Sequence, residues 1–301
     1  MTIPQNIAVF GLGSMGYGVA SSALRAGHRV HGFDVAPAPM ERFLAEGGSP
    51  GAITDVASTL DTVFVVVLNA AQTDAVLFGD NGVVPMLKQG ALVIACATMP
   101  PEFAKRMEAQ CNAADVHYLD APISGGSIKA ANGQLSFMAS GTPDAFSAAR
   151  PALEATGETV FELGDAAGAG SAMKAVNQLL AGVHIVTMAE ALAFGMTQGV
   201  TPEKFVEVIS KCAGTSWMLE NRAPHIVAGD YTPHSSVNIW PKDLGIVLDI
   251  AKSASFSAPI TAAALQQFLA AAGMGLGGED DAAVVAKVYA RNAQLTLPGM
   301  E

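Results

Sequence analysis

Three closely spaced glycines near the start of the chain restrict its fold more than any other feature. They lie in Asn6-Ile7-Ala8-Val9-Phe10-Gly11-Leu12-Gly13-Ser14-Met15-Gly16. The short apolar run before Gly11 has strand character, and Ser14 to Ala26 predicts a helix rich in small residues. Strand, tight turn and helix in that order are the context in which G-x-G-x-x-G carries meaning. The first glycine permits the turn, the second admits a pyrophosphate close to the backbone, and the third lets helix pack on strand. Leu12, Ser14 and Met15 fill the turn, and the helix start offers unpaired amides to phosphate. A second strand, Arg29 to Phe33, ends at Asp34, 18 residues beyond Gly16. A carboxylate there suits the two hydroxyls of an adenosine ribose and repels a 2′-phosphate, which predicts NAD rather than NADP. A turn that merely packs, with Asp34 on a solvated strand end, is the competing account; strand, helix and acidic residue together weigh against it.

With 301 residues, half of them hydrophobic and 14% charged, the chain can build two ordinary domains with real cores. A formal net charge of -11 argues against a nucleic-acid partner, which needs clustered Lys and Arg. It leaves room for a small anionic substrate held by a few local cations. Cys96, Cys111 and Cys212 lie far apart, so neither a zinc pattern nor a disulfide framework is expected, and a reducing cytoplasm is. The first strand follows the N-terminus so directly that no signal peptide is expected. Ala172 to Met196 is apolar enough to suggest a membrane span, but Lys174, Asn177, Gln178, His184 and Glu190 punctuate it. A lysine deep in a bilayer costs ~2.5–3.5 kcal/mol on insertion scales, so a buried helix with no membrane partner is the better expectation.

Strand-like runs recur at Thr62 to Leu68, Ala91 to Cys96 and Val116 to Asp120, with helical stretches such as Pro101 to Ala113 between them. That alternation predicts a parallel sheet covered on both faces. Leu135 to Ala139 and Val160 to Leu163 read as further strands around a helix at Pro143 to Ala155. After the small-residue junction Gly164 to Gly170 the pattern is helical only. A helix over Ser171 to Gly199 would be ~40 Å long and, being apolar nearly all round, must be buried on most faces, between domains or between subunits. Thr201-Pro202 opens another helix, and others are expected at Lys242 to Ser253, Ile260 to Ala272 and Asp281 to Asn292. The expected architecture is an α/β Rossmann domain over residues 1–163 and an all-helical domain over 164–301.

Ligands of open α/β sheets bind beyond the carboxyl ends of the strands. Leu68-Asn69 and Ala97-Thr98 follow two of those ends, and Ala121-Pro122-Ile123-Ser124-Gly125-Gly126-Ser127 follows Asp120. The paired glycines and the hydroxyl of the last loop can hold a carboxylate on backbone amides, or can simply relieve strain in a turn. Lys174 falls in the first turn expected for the long helix, with Asn177 and Gln178 on the same face. A helix N-terminus disfavours a cation, and dipole and burial both lower an amine's pKa toward the range of a general base. A lysine that snorkels from a solvated helix start fits equally well. His184 is a rival acid/base, but two turns set it ~10 Å from Asn177 along the axis, and packing explains it better. Lys242-Asp243 offers either a second cation to the cleft or an exposed ion pair. Trp217, Asn221 and Arg222, in a stretch expected to be irregular, fit a pocket wall or an ordinary surface.

Four segments in this order, GLGSMGYGVA (Gly11 to Ala20), DAPISGG (Asp120 to Gly126), GSAMKAVNQ (Gly170 to Gln178) and KDLG (Lys242 to Gly245), span nearly the whole chain. With them the chain resembles the β-hydroxyacid dehydrogenases, the family that includes 3-hydroxyisobutyrate dehydrogenase and tartronate semialdehyde reductase. NQLLAGVHI, AGTSWMLENR and GDYTP are similar to its L-threonate-oxidising branch. The resemblance implies a 6-phosphogluconate dehydrogenase-like fold and NAD-dependent oxidation of a small hydroxy acid, L-threonate first among them. It also implies a homodimer or homotetramer assembled through the helical domain. By resemblance Lys174 is the catalytic lysine, Asn177 a substrate-binding amide, and Ser124, Gly125 and Gly126 the substrate loop. Leu68, Asn69, Thr98 and Lys242 fall where the family contacts NAD. Ala95-Cys96-Ala97-Thr98 departs from the family, which commonly has an acidic residue and then Ser-Thr, so only Thr98 carries over. The other activities open are 3-hydroxyisobutyrate or glycerate oxidation, tartronate semialdehyde reduction, imine reduction (whose enzymes usually lack the lysine) and non-enzymatic NAD binding.

Overall fold

The computed structural model describes residues 3–233 and 235–300. The chain divides into two compact units, Met1–Lys174 and Ala175–Glu301. The first holds a parallel five-stranded sheet in the order β2-β1-β3-β4-β5, built from β1 (Asn6–Phe10), β2 (Arg29–Phe33), β3 (Thr62–Val65), β4 (Leu92–Ala95) and β5 (His117–Asp120). Ile7 pairs with Val30 on one side and Thr62 on the other, and Ala95 pairs with Asp120. The strands read as continuous apolar runs because both faces are covered. Alternate residues go to opposite faces: Ile7, Val9, Leu92 and Ile94 to one core, Ala8, Val93, Ala95 and Tyr118 to the other.

Helices α1 (Ser14–Arg25), α2 (Pro37–Ala45), α3 (Ile53–Val56), α4 (Ala70–Phe78) and α5 (Pro101–Asn112) connect these strands. Leu77 of α4 and Met107 of α5 belong to one core, and Val19 of α1 to the other. After β5 come β6 (Ile123–Ser124), α6 (Gly126–Asn132), β7 (Leu135–Ala139), α7 (Pro143–Thr156) and β8 (Gly157–Glu162). The last three strands do not extend the parallel sheet. They form a separate sheet, β6-β7-β8, in which β6 runs antiparallel to β7. The reversal after Ser124 uses positive φ at Gly125 (135°) and Gly126 (76°), which a strand-period pattern does not register.

Helix α8 (Ala169–Thr197) spans the boundary of the two units. Beyond it lie α9 (Pro202–Ile209), α10 (Trp217–Ala228), α11 (Ile239–Ser253), α12 (Pro259–Ala271) and α13 (Asp281–Ala293). Their core gathers Ile185, Leu192, Phe205, Leu219, Leu244 and Val285 around Trp240, which stacks on Phe268 with ring centroids 5.3 Å apart. Side-chain caps start several helices. Thr201 accepts from the Lys204 amide and Ser216 from that of Leu219. Trp217, Asn221 and Arg222 therefore lie on a helix rather than in irregular chain. Pro224 removes one amide from its ladder, but Met218, Leu219, Ala223 and Ile226 are buried and hold the turn in place.

The glycine turn is packed too tightly for side chains. A Cβ on Gly16 would stand 1.8 Å from the Gly11 carbonyl oxygen, and one on Gly11 2.3 Å from that of Val66. Gly16→Ala must therefore push α1 off β1. Denaturant unfolding is expected to show a loss of ~1–3 kcal/mol, and NAD titration a weaker complex; unchanged values in both would contradict this packing.

Candidate active site

Parallel pairing of β2, β1, β3 and β4 brings their carboxyl ends side by side, and with them Gly11 to Gly16, Asp34, Leu68-Asn69 and Thr98. The Gly11 amide donates to the Phe33 carbonyl at 2.8 Å. Asp34 accepts from the Leu12 amide at 2.6 Å and, through its other oxygen, from the Ala36 amide at 2.9 Å. The acidic residue and the glycine turn are thus one hydrogen-bonded unit. No side chain caps α1 at Gly13, and a Cβ there would meet nothing within 4 Å. The start of α1 thus has open space beside Gly13 and no side-chain cap on its amides, which fits a dinucleotide pyrophosphate. Met15 packs against the core, Ser14 is exposed and Leu68 is half exposed. Asn69 spends its side-chain oxygen on capping α4, accepting from the Gln72 amide at 2.9 Å.

The second cluster lies at the end of β5. Ala121-Pro122 leads from Asp120 into β6, and Ser124, Gly125 and Gly126 follow. Lys174 is buried, 8% exposed, and its Nζ donates to the Ile123 carbonyl at 2.8 Å. The amine thus reaches the loop that carries Ser124. Because α8 begins at Ala169, Lys174 occupies its second turn rather than its first.

Asp120 is completely buried. One of its oxygens accepts from the amides of Gly168 at 2.9 Å and Ser171 at 2.8 Å, and the other from the Ser171 hydroxyl at 2.7 Å. Burial raises its pKa, while the bonds from Ser171 and Gly168 pull it back. Ser140, paired with Asp120 through both backbone groups, accepts from the Gly170 amide at 2.9 Å. Sequence reasoning used Asp120 only as a strand end and a motif letter. Its signal was a carboxylate at the close of an apolar run, which must find donors when buried. Cys96 is buried too, and its thiol is pushed well above the ordinary range by burial and by Asp120, so it stays protonated.

In the second unit, Asn177 Nδ2 donates to Gln178 Oε1 at 3.0 Å and Gln178 Nε2 to Asp243 Oδ2 at 2.5 Å. Lys242 Nζ lies 2.7 Å from Asp243 Oδ1. Asp243 is 2% exposed, so this pair is buried on its acidic side rather than solvated. His184 lies half-buried two turns beyond Asn177 on α8. Trp217 is exposed, and Arg222 donates to the Asn221 side chain at 2.7 Å. Among the described residues no group of three or more His, Cys, Asp or Glu gathers as a metal site.

Comparison with known proteins shows the family. Residues 6–164 match the NAD binding domain of 6-phosphogluconate dehydrogenase, and residues 168–289 the NAD-binding domain of NADP-dependent 3-hydroxyisobutyrate dehydrogenase. The chain belongs to the β-hydroxyacid dehydrogenases, the family of 3-hydroxyisobutyrate dehydrogenase, and is an NAD-dependent oxidoreductase of hydroxy acids. Among named relatives it is 50% identical to the L-threonate dehydrogenase of Cupriavidus necator, over 98% of both chains. It is 44% identical to the L-threonate dehydrogenase of Escherichia coli, over 98% of this chain and 97% of that one. A crystal structure of 3-hydroxyisobutyrate dehydrogenase from Salmonella typhimurium is 42% identical and superposes with a TM-score of 0.87, covering 94% of this chain and 99% of that one.

Replacing Asp34 tests the cofactor end. Asp34→Ser is expected to lower kcat/KM for NAD by about 10- to 100-fold and to raise the efficiency with NADP. Steady-state kinetics with both dinucleotides check this, and an unaltered NAD preference would refute it.

Proposed function

We propose that this enzyme oxidises L-threonate at C2 to the corresponding 2-oxo acid, with Lys174 as general base, and as general acid in the reverse direction. The observation that carries the reading is the buried Lys174 amine at the Ile123 carbonyl, beside the Ser124-Gly125-Gly126 loop. NAD, when bound along Gly11 to Gly16 with its ribose on Asp34, supplies the hydride acceptor. Lys174 takes the proton from the hydroxyl oxygen borne by the carbon that loses the hydride, and returns it in reduction. The substrate carboxylate rests on the Ser124 hydroxyl and the amides of Gly125 and Gly126. Asn177, three residues along α8 from Lys174, orients the substrate hydroxyl, and its own amide is steered by Gln178. Leu68, Asn69, Thr98 and Lys242 complete the cofactor contacts. Lys174 also speaks against imine reduction, which needs no such base.

The substrate follows from two L-threonate dehydrogenases at 44–50% identity over nearly full length. The Salmonella relative supports 3-hydroxyisobutyrate on the same machinery as the second reading. Further parts of the reading are the division after residue 163 into a cofactor domain and a helical domain, a cytoplasmic location and a homo-oligomer. Helix α8 is long and apolar enough to cross a membrane by length and composition. Its buried Lys174 and Gln178, bonded within the protein, support a soluble core helix instead. Exposed Val176, Leu180 and Phe194 on the same helix support assembly.

NADH formation should be measured over L-threonate, 3-hydroxyisobutyrate and glycerate, with tartronate semialdehyde assayed as NADH consumption. The expected kcat/KM is highest for L-threonate. A higher value for 3-hydroxyisobutyrate installs the second reading, and no turnover with any compound sinks both. Lys174→Ala is expected to cut kcat by about 10²–10⁴-fold while calorimetric NAD affinity stays within about twofold; full activity in that variant removes the lysine from the mechanism.

A further inference from the structure

The distance between Lys174 and the Ser124 loop is set by two chain segments remote in sequence. One runs from Asp120 through Pro122 into Ile123 and Ser124; the other is the start of α8. Only the first is attached covalently to β5. The second reaches it through side chains. Asp120 receives the Gly168 and Ser171 amides on one oxygen and the Ser171 hydroxyl on the other. Ser140, itself paired to Asp120 through the backbone, receives the Gly170 amide. A helix start normally leaves its first amides to a local cap or to water. Here two side chains from β5 and from the segment after β7 satisfy three of them. Ser171 lies three residues before Lys174, so the anchored turn directly precedes the one that carries the lysine.

We infer that Asp120 is the positioning residue of the proton-transfer site. Its carboxylate clamps the first turn of α8 to the same strand end from which the substrate loop departs, and so fixes the Lys174 amine against that loop. Asp120 touches neither substrate nor cofactor in this assignment; it acts through Ser171 and the helix backbone. The geometry suits the task because the clamp is dry, bidentate and attached to a sheet. Proton transfer demands such rigidity, since an error of about 1 Å in placing a catalytic group can cost ~10²-fold in rate. The inference rests on the lysine reading above and adds what holds the lysine in place.

Asp120→Asn, Ser171→Ala and Lys174→Ala are compared in the full-length enzyme, with NAD and whichever hydroxy acid of the panel turns over fastest. The asparagine oxygen still accepts from the Gly168 and Ser171 amides, so the fold is retained while the anionic clamp on the Ser171 hydroxyl is lost. For Asp120→Asn the expected result is a fall in kcat of about 10- to 100-fold with KM for NAD within about twofold. Its solvent deuterium isotope effect on kcat should exceed that of the parent enzyme, because proton transfer has become slower. Ser171→Ala should move the same quantities in the same direction by about 3- to 10-fold, and it carries the test alone if the asparagine variant does not fold. Parent-like kcat and isotope effect in the folded variant overturn the inference. So does a parallel loss of kcat and NAD affinity, which marks general structural damage. Lys174→Ala separates the two readings. If it stays active, the lysine assignment fails; if it is inactive while Asp120→Asn and Ser171→Ala behave as parent, only the positioning role fails.

Discussion

At the carboxyl end of β5 the chain buries a carboxylate and answers it with backbone amides and a serine hydroxyl. A desolvated carboxylate is costly unless its oxygens are fully bonded, and each bond to a charged acceptor contributes ~1.5–3 kcal/mol. The amides of Gly168 and Ser171 and the Ser171 hydroxyl supply three such bonds to Asp120, at 2.7–2.9 Å. Because those donors belong to the beginning of α8, satisfying the carboxylate and placing the helix are the same event. Lys174, one turn further, inherits its position at the Ile123 carbonyl from that event.

The cofactor end follows a related logic with a different device. Close approach replaces charge: Gly16 lets α1 lie against the Gly11 carbonyl, and Asp34 ties β2 to the Leu12 amide. Parallel pairing then lines up the ends of β2, β1, β3 and β4, so residues from four separate segments share one edge. In the helical unit a second buried carboxylate, Asp243, orders Gln178 and through it Asn177, and holds Lys242. Both carboxylates are buried and both organise groups that the family resemblance marks as functional. Neither stands out in composition, because a single Asp in an apolar stretch has no periodicity of its own.

Much of the architecture was readable in the residues. The β1-turn-α1 unit, the strand at Leu135–Ala139, the proline-led helices α5 and α9, and the long α8 all follow from local pattern, since each repeats its signal over several residues. Other elements were not expected, α10 and the separate β6-β7-β8 sheet among them. Helix α10 was obscured by Pro224, and only the burial of Met218, Leu219, Ala223 and Ile226 shows why it persists. The separate β6-β7-β8 sheet depended on a two-residue strand and on positive φ at two glycines, neither of which a periodicity detects.

By itself, then, the sequence determined the Rossmann-type start, the expectation of NAD from Asp34, and the candidate residues Lys174, Asn177 and Ser124 to Gly126. The turn and Asp34 rest on glycine sterics, charge and order along the chain, which are local properties, while the roles of Lys174, Asn177 and Ser124 to Gly126 are what the family resemblance implies. Only the tertiary structure decided that Lys174 is buried against the Ile123 carbonyl rather than snorkelling, that Lys242 pairs with a buried Asp243, and that Asp120 fastens α8 to β5. The places of Lys174 and Asp120 and the burial of Asp243 depend on contacts across some 50 residues of sequence or more: Asp120 with Ser171, Lys174 with Ile123 and Gln178 with Asp243. Long-range pairing is fixed by the need to satisfy buried polar groups, and that need arises only once the chain has packed.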